Sequence, residues 1–342
     1  MSSGISVVVC CYNSALRLTP TLRHLLAQKD IALSSWEVIV IDNASTDNTQ
    51  QKAIDIWGNY VEEKPPFKVV FEREPGLSSA RQRGIAEAAF DYVLFCDDDN
   101  WLDENYISIS LKIMESNAEI GALGGTGYPV FEDKEPPYFW VNQYHLLAVG
   151  QQSIINGDIT DERGVLYGAG MTVNKAAFNV LINTYHFDFL VTDRNGKNLN
   201  SSGDHELCLA LRKIGYRIYY SKELKFKHFL PCIRTTISYY KKLFYGFGVS
   251  YVLLQAYRMS DKLVNDWKFN YRYLCLRCIK NIVVYQALLL IKGYYYKKEK
   301  LKYLDHVNVL HSNLGMLKTY LAVKNAYKKQ FSELILFKNK IG

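Results

Sequence analysis

Three adjacent carboxylates, Asp97-Asp98-Asp99, follow directly on the apolar run 92–96. Held together at the end of a strand, such groups raise one another's pKa unless a cation neutralises them. Mg²⁺ and Mn²⁺ take oxygen ligands of this kind and complete their shells with substrate phosphates. The same run also suits a solvated acidic turn. A second polar stretch, Asp42-Asn43-Ala44-Ser45-Thr46-Asp47-Asn48-Thr49, follows the run 36–41. Ser45 or Thr46 is placed to cap the next helix, whose N-terminus also attracts phosphate. Read alone, it is a strand–turn–helix with good capping chemistry. A third stretch, 74–85, sets Arg81 one turn into a helix opened by Gly76. A guanidinium there either bridges to a diphosphate or lies on the surface. The fourth is Gly203-Asp204-His205-Glu206-Leu207, which offers a carboxylate as general base. Its two acids are equally good partners for a helix dipole. Leu209 stands where a zinc protease needs its second histidine, which excludes that class.

These residues need elements to hold them. Residues 5–11 form a continuous apolar run, as in a parallel strand buried on both faces. Residues 16–28 have helical spacing, with Leu18, Leu22, Leu25 and Leu26 on one side. Strands follow at 36–41, 67–72 and 92–96, with helices near 49–57 and 77–89. Alternation of this kind implies a parallel sheet with right-handed crossovers, and ligands bind at its C-terminal strand ends. The four polar stretches begin at or near those ends. From about 120 the pattern loosens: 121–127 is glycine-rich, 166–173 predicts a strand, 206–214 a helix and 216–220 a strand. Beyond about 231 the chain becomes helical, basic and aromatic.

Charge is divided along the chain. Residues 1–206 carry 15 Lys/Arg and 28 Asp/Glu, and residues 207–342 carry 26 and 6, which together give the net +7. The acidic part suits metal binding, and the basic part suits an anionic surface or phosphorylated partners. Stretches such as 239–245 and 294–298 interleave cations with aromatics, as in helices that lie in a membrane interface. Packing on the protein or on a second subunit explains the same pattern. The longest uncharged apolar runs there, 243–257 and 281–291, fall short of the roughly 20 residues a bilayer requires, so no spanning helix is expected. Nor does the N-terminus carry a basic-then-apolar signal. Seven cysteines, an odd number with Cys10 and Cys11 adjacent, give no disulfide framework and point to a reducing compartment. Cys275 and Cys278 lack a second ligand pair for zinc and are expected as two small buried residues on one helix. The aromatics at 138–144 read either as an acceptor-stacking surface or as core.

Taken together, residues 7–13, 38–49, 75–85, 95–102, 167–171 and 203–207 with Gly215-Tyr216 resemble the family-2 glycosyltransferases of the GT-A fold, in that family's order. The resemblance spans about residues 5–230. It implies an α/β fold: a mostly parallel, Rossmann-like sheet flanked by helices in residues 1–230, with a nucleotide-sugar half (1–120) and an acceptor half (121–230). A helical basic appendage over 231–342 follows. It also implies an inverting, metal-dependent transfer of a sugar from a nucleotide diphosphate, UDP foremost, to a hydroxyl of a saccharide or lipid-linked acceptor, as in polysaccharide or glycoconjugate biosynthesis. By the same resemblance Cys11 (through its backbone), Tyr12, Asn13 and Asp42 hold the base, and Arg81 serves the base or diphosphate. Asp97 faces the ribose, with Asp98 on the donor side. Asp99, with Asp97, holds Mn²⁺ or Mg²⁺, and His228 falls where some relatives place a further metal or phosphate ligand, a place that a structural histidine fits equally. Gly168, Ala169, Gly170 and Met171 line the acceptor side. Asp204 is the base, with Glu206 its rival. The family's frequent Pro-Thr and Glu-Asp are here Cys10-Cys11 and Gly203-Asp204. A cytoplasmic enzyme, possible at the membrane's inner face, is the expected setting, with no nucleic-acid partner.

Other classes fit less well. A nicotinamide-dependent oxidoreductase needs a glycine-rich turn after the first strand, and Cys11-Tyr12-Asn13-Ser14 has no glycine. A sugar nucleotidyltransferase wants a glycine-rich basic loop near the N-terminus. A non-catalytic nucleotide-sugar-binding protein has no use for Asp97, Asp99 and Asp204 together.

Overall fold

The structure, a computed structural model, describes residues 2–132, 136–140, 143–189, 191, 202–258, 267–292 and 300–322. The stretch 294–298 lies outside them. By its internal contacts the chain divides into two units: Met1–Lys134, Asn142–Phe189 and Leu207–Leu230 in one, and Glu135–Val141, Leu190–Glu206 and Pro231–Gly342 in the other.

In the first unit, strands β1 (Ser2–Cys11), β2 (Trp36–Asn43), β3 (Phe67–Glu72) and β4 (Phe90–Asp97) stand in the order β3-β2-β1-β4, all parallel. β2 is buried along its whole length. Such strands must be covered on both faces, and alternation divides their side chains between the two covers. Val7, Val9, Val38 and Val40 share a core with Leu18, Leu22 and Leu25 of helix α1 (Leu18–Leu26) and Trp57 of α2 (Thr49–Gly58). Val8 points the other way, against Gly84 of α3 (Leu77–Glu87).

Beyond β4 the sheet becomes mixed. It continues through β8 (Thr172–Asn174), β6 (Ile120–Phe131), β9 (Arg217–Leu230) and β5 (Asn100–Leu102), with β7 (Gly157–Asp158) also on β9. β6 and β9 are parallel, and β8, β5 and β7 run antiparallel to their neighbours. Helix α4 (Tyr106–Ser116) follows β5, and the short α5 (Lys175–Asn179) follows β8.

Three sequence expectations change here. The strand foreseen at 166–173 shrinks to 172–174, because residues 167–171 form a loop with Gly170 at φ +69°. The glycine-rich 121–127 is instead strand β6. Its glycines permit close packing: a Cβ on Gly125 would lie 2.4 Å from the Leu224 carbonyl oxygen. Neither Ser45 nor Thr46 caps α2; the Thr49 N–H is met by Asp47 Oδ1 at 3.1 Å.

The second unit contains α7 (Ile237–Arg258), α8 (Trp267–Lys292) and α9 (Lys300–Ala322), with α9 packed on both others. α7 and α9 approach through glycine, since a Cβ on Gly248 would lie 2.1 Å from the Ser312 carbonyl oxygen. Trp140 and Phe139 belong to this core: Trp140 meets Tyr240 edge-on at 5.2 Å and donates from Nε1 to Thr235 O at 2.9 Å. Cys275 and Cys278 are buried on α8 as expected, and all seven cysteines are free thiols. The expectation of no spanning helix rested on the uncharged runs alone. Tyr271–Ile291 is long and apolar enough to cross a membrane, by length and composition. The helix runs through Arg272, Arg277 and Lys280, the three charges that interrupt the apolar run in the sequence.

Candidate active site

At the C-terminal ends of β1, β2 and β4 the connecting loops are wired to one another. Asn13 takes a left-handed backbone (φ +50°), which asparagine tolerates better than most residues. Its N–H donates to Ser45 Oγ at 2.9 Å, and its Oδ1 accepts from Thr46 N at 2.8 Å. Ser14 N donates to Thr49 Oγ1 at 2.8 Å, and Ala15 N to Asp47 Oδ2 at 3.1 Å. Asp42 is buried, with Oδ1 accepting from Ser45 N and Oδ2 from Gln50 Nε2 at 2.6 Å. Its carboxylate therefore shapes the turn. Cys11 is buried, whereas the Tyr12 side chain is about half exposed (47%).

The three carboxylates of 97–99 point three ways. Asp97, the most exposed, faces Arg81, whose guanidinium lies 3.9 Å away and over the Phe95 ring at 5.2 Å. Asp98 is buried and bonded to Ser14 Oγ and to Arg17 Nε at 2.8 Å. Burial, and next the charge of Asp99, push Asp98 up to about 6, against the pull of Arg17 and Ser14. Asp99 is buried beside His228, Oδ1 to Nε2 3.5 Å. That last contact comes from the sheet: β5 pairs with β9 so that Asn100 stands opposite His228, and Phe229 N donates to Asp99 O at 2.9 Å.

Arg81 is fixed from the far side by Gly168. A Cβ there would fall 2.4 Å from its guanidinium nitrogen, so only glycine lets the arginine lie against that backbone. Cys10, below this pair, has its thiol pushed up to about 12, mainly by burial. Ala169 and Met171 are buried in the core, and Tyr106 Oη donates to Gly170 O at 2.7 Å. In this loop, therefore, Gly168 is the residue that touches a candidate functional side chain.

Asp204 and Glu206 open helix α6 (Gly203–Lys213) and belong to the second unit. Asp204 is partly exposed, and its Oδ1 accepts from His205 N at 2.8 Å. Glu206 is fully buried: Oε1 accepts from Tyr257 Oη of α7 at 2.9 Å, and Oε2 from Val191 N at 2.8 Å. This geometry makes Glu206 a strut, and Asp204 is the more exposed of the two carboxylates. Sequence reasoning missed Ser14, Arg17 and Tyr257. Arg17 lies outside every motif, and Tyr257 is one tyrosine of 26.

Among the described residues no three His, Cys, Asp or Glu side chains form a ready metal cage. The Asp99–His228 pair nonetheless fits a divalent cation. It presents one oxygen and one nitrogen side by side, and such an ion draws its remaining ligands from water and substrate phosphates.

A sheet parallel through β1–β4, with an acidic triplet at a strand end and an arginine beside it, has the form of a GT-A fold. Residues 6–181 match the model of Glycosyl transferase family 2, and the chain belongs to that family. Curated relatives include the poly-beta-1,6-N-acetyl-D-glucosamine synthase of Staphylococcus epidermidis, 30% identical over 132 residues. The Staphylococcus aureus synthase is 29% identical over the same length. In both cases the match covers 38% of this chain and 30% of the relative, so the chain spans less than a third of their length. The crystal structure of S. aureus TarS 1-349 in complex with UDP-GlcNAc shares the fold, with TM-score 0.51 at 14% identity over 95% of this chain and 92% of that one.

Proposed function

We propose that the protein transfers a sugar from a uridine diphosphate carrier, N-acetylglucosamine first among candidates, to a hydroxyl of a saccharide or lipid-linked acceptor, with inversion. The setting is polysaccharide or glycoconjugate synthesis in the cytoplasm. The observation that carries this reading is the splayed triplet, with Asp97 on Arg81 and Asp99 on His228. The names of the relatives and the UDP-GlcNAc bound by TarS support the choice of donor.

In this reading Tyr12 faces the nucleotide base, and Asp97 takes the ribose hydroxyls. Arg81, oriented by Gly168 and Phe95, meets the negative charge that grows on the departing diphosphate. Asp99 and His228 would hold Mn²⁺ or Mg²⁺, which would supply Lewis-acid neutralisation of the same charge, while Asp97 turns to Arg81. Asp204 accepts the proton of the attacking hydroxyl, which is a poor nucleophile without a base. A single displacement from the face opposite the leaving group inverts the anomeric carbon.

The test is release of UDP from several UDP-sugars, with and without Mn²⁺. Turnover should vanish in excess EDTA and in Asp99→Ala. Asp204→Asn should lower kcat by at least ~10² at nearly unchanged donor KM. Full activity in EDTA rejects the metal role, and a fully active Asp204→Asn rejects the base.

A further inference from the structure

Helix α8 carries apolar residues on its outer as well as its inner side, yet only the inner side is covered. The inner side meets α9: Tyr271 packs on Tyr320, Asn281 Nδ2 donates to Asn313 Oδ1 at 3.1 Å, and Tyr285 stands against His306. The outer side carries Tyr273, Leu276, Ile279, Val283, Leu290 and Ile291, all exposed. The first four recur at three- and four-residue spacing and Leu290 follows seven after Val283, so they share one face of the helix. A stripe of this size on a soluble protein marks a surface made to be covered.

Charge indicates what covers it. The 26 residues of α8 hold five cations (Lys268, Arg272, Arg277, Lys280 and Lys292) and no acid. Arg272, Arg277 and Lys280 are exposed, with Arg272 and Lys280 at helical spacing from Leu276 on the same face. A second copy would set these cations against their own kind, and like-charge juxtaposition opposes association. The chain's last residues, 323–342, carry net +4 and have the same sign. An anionic lipid surface accepts both features, burying the stripe among acyl chains and pairing the cations with headgroups. Crossing the bilayer is disfavoured: Arg277 and Lys280 lie near the middle of Tyr271–Ile291, where a membrane span would set them in hydrocarbon.

We infer that the outer face of α8 docks the protein in the plane of an anionic membrane surface. The docking is independent of catalysis and is read without it. Purified full-length protein is floated with vesicles of phosphatidylcholine alone and of phosphatidylcholine mixed with phosphatidylglycerol, at low and high salt. Binding should require phosphatidylglycerol and weaken with salt. Arg277→Glu with Lys280→Glu should weaken it at least ~10-fold. Leu276→Asp with Val283→Asp should weaken it similarly, even at low salt. All four positions are exposed, so circular dichroism and melting should match the wild type. Equal flotation on both vesicle types overturns the inference, as does no flotation of folded protein. It is also overturned if sedimentation shows a dimer that the Leu276→Asp, Val283→Asp protein fails to form.

Discussion

Replacing Tyr257 by Phe removes one oxygen atom and leaves the ring in place, so it isolates a single hydrogen bond. That bond runs from Tyr257 Oη to Glu206 Oε1 over 2.9 Å, between a tyrosine 5% exposed and a glutamate with no exposure. A buried hydrogen bond to a carboxylate contributes about 1.5–3 kcal/mol. For a folding unit of this size the loss converts to a melting temperature lower by about 4–10 °C. Burial, and then the Glu206 charge, hold the Tyr257 hydroxyl well above its usual range. It stays protonated, so the deficit should be constant from pH 6 to about 9, within ordinary phenol limits. Glu206→Gln is the companion variant. Its amide oxygen can still accept from Val191 N, while its NH₂ can donate to the Tyr257 oxygen. The strut survives, so kcat should stay within ~10-fold of wild type, whereas loss of a general base costs ~10²–10⁴. Thermal melts and UDP-release kinetics on the two proteins decide the matter. A Tyr257→Phe protein that melts like the wild type would refute the strut. A Glu206→Gln protein that melts normally but loses ~10² or more in kcat would give Glu206 the proton transfer instead.

Gly168→Ala should drive Arg81 off its backbone shelf, since the new methyl would fall 2.4 Å from the guanidinium. Donor kcat/KM should fall at least ~10-fold with little change in melting, and an unaltered kcat/KM would remove Arg81 from the donor site. Of the seven cysteines only Cys232 is exposed, and burial pushes the thiols of Cys10, Cys11 and Cys96 upward. With Cys10 near 12, only ~10⁻⁴ of it is thiolate at pH 8. Iodoacetamide at that pH should therefore label Cys232 first and the buried thiols only after denaturation. Rapid labelling of Cys10 in folded protein would contradict the burial.

The first four strands were legible because 5–11, 36–41, 67–72 and 92–96 are apolar runs that only two-sided burial explains. The acidic triplet was legible as a strand-end cluster for the same reason. Its directions were not, because Arg17 and Ser14 decide where Asp98 points, and nothing in the spacing of 97–99 encodes them. β6 was hidden because glycine lowers strand propensity, while the Leu224 backbone here demands it at position 125. The strand foreseen at 166–173 failed for a related reason: its glycines serve Arg81 and a left-handed turn. In α8, Arg272, Arg277 and Lys280 break the apolar run in sequence but not the helix.

Among the described strands, β9 has three neighbours, β6, β5 and β7, and is the last to leave the ribosome. Until residue 230 is made, β5 has no partner, and Asp99 and His228 are 129 positions apart along an unfinished chain. Pairing over such separations is slow, because the loop must close before the contact repays it. The core around β1–β4 can gather early, while the contact of Asp99 with His228 comes into being only with β9. A nascent or truncated chain thus has its β1–β4 core without the Asp99–His228 contact, and bears unpaired strand edges open to chaperones and to aggregation.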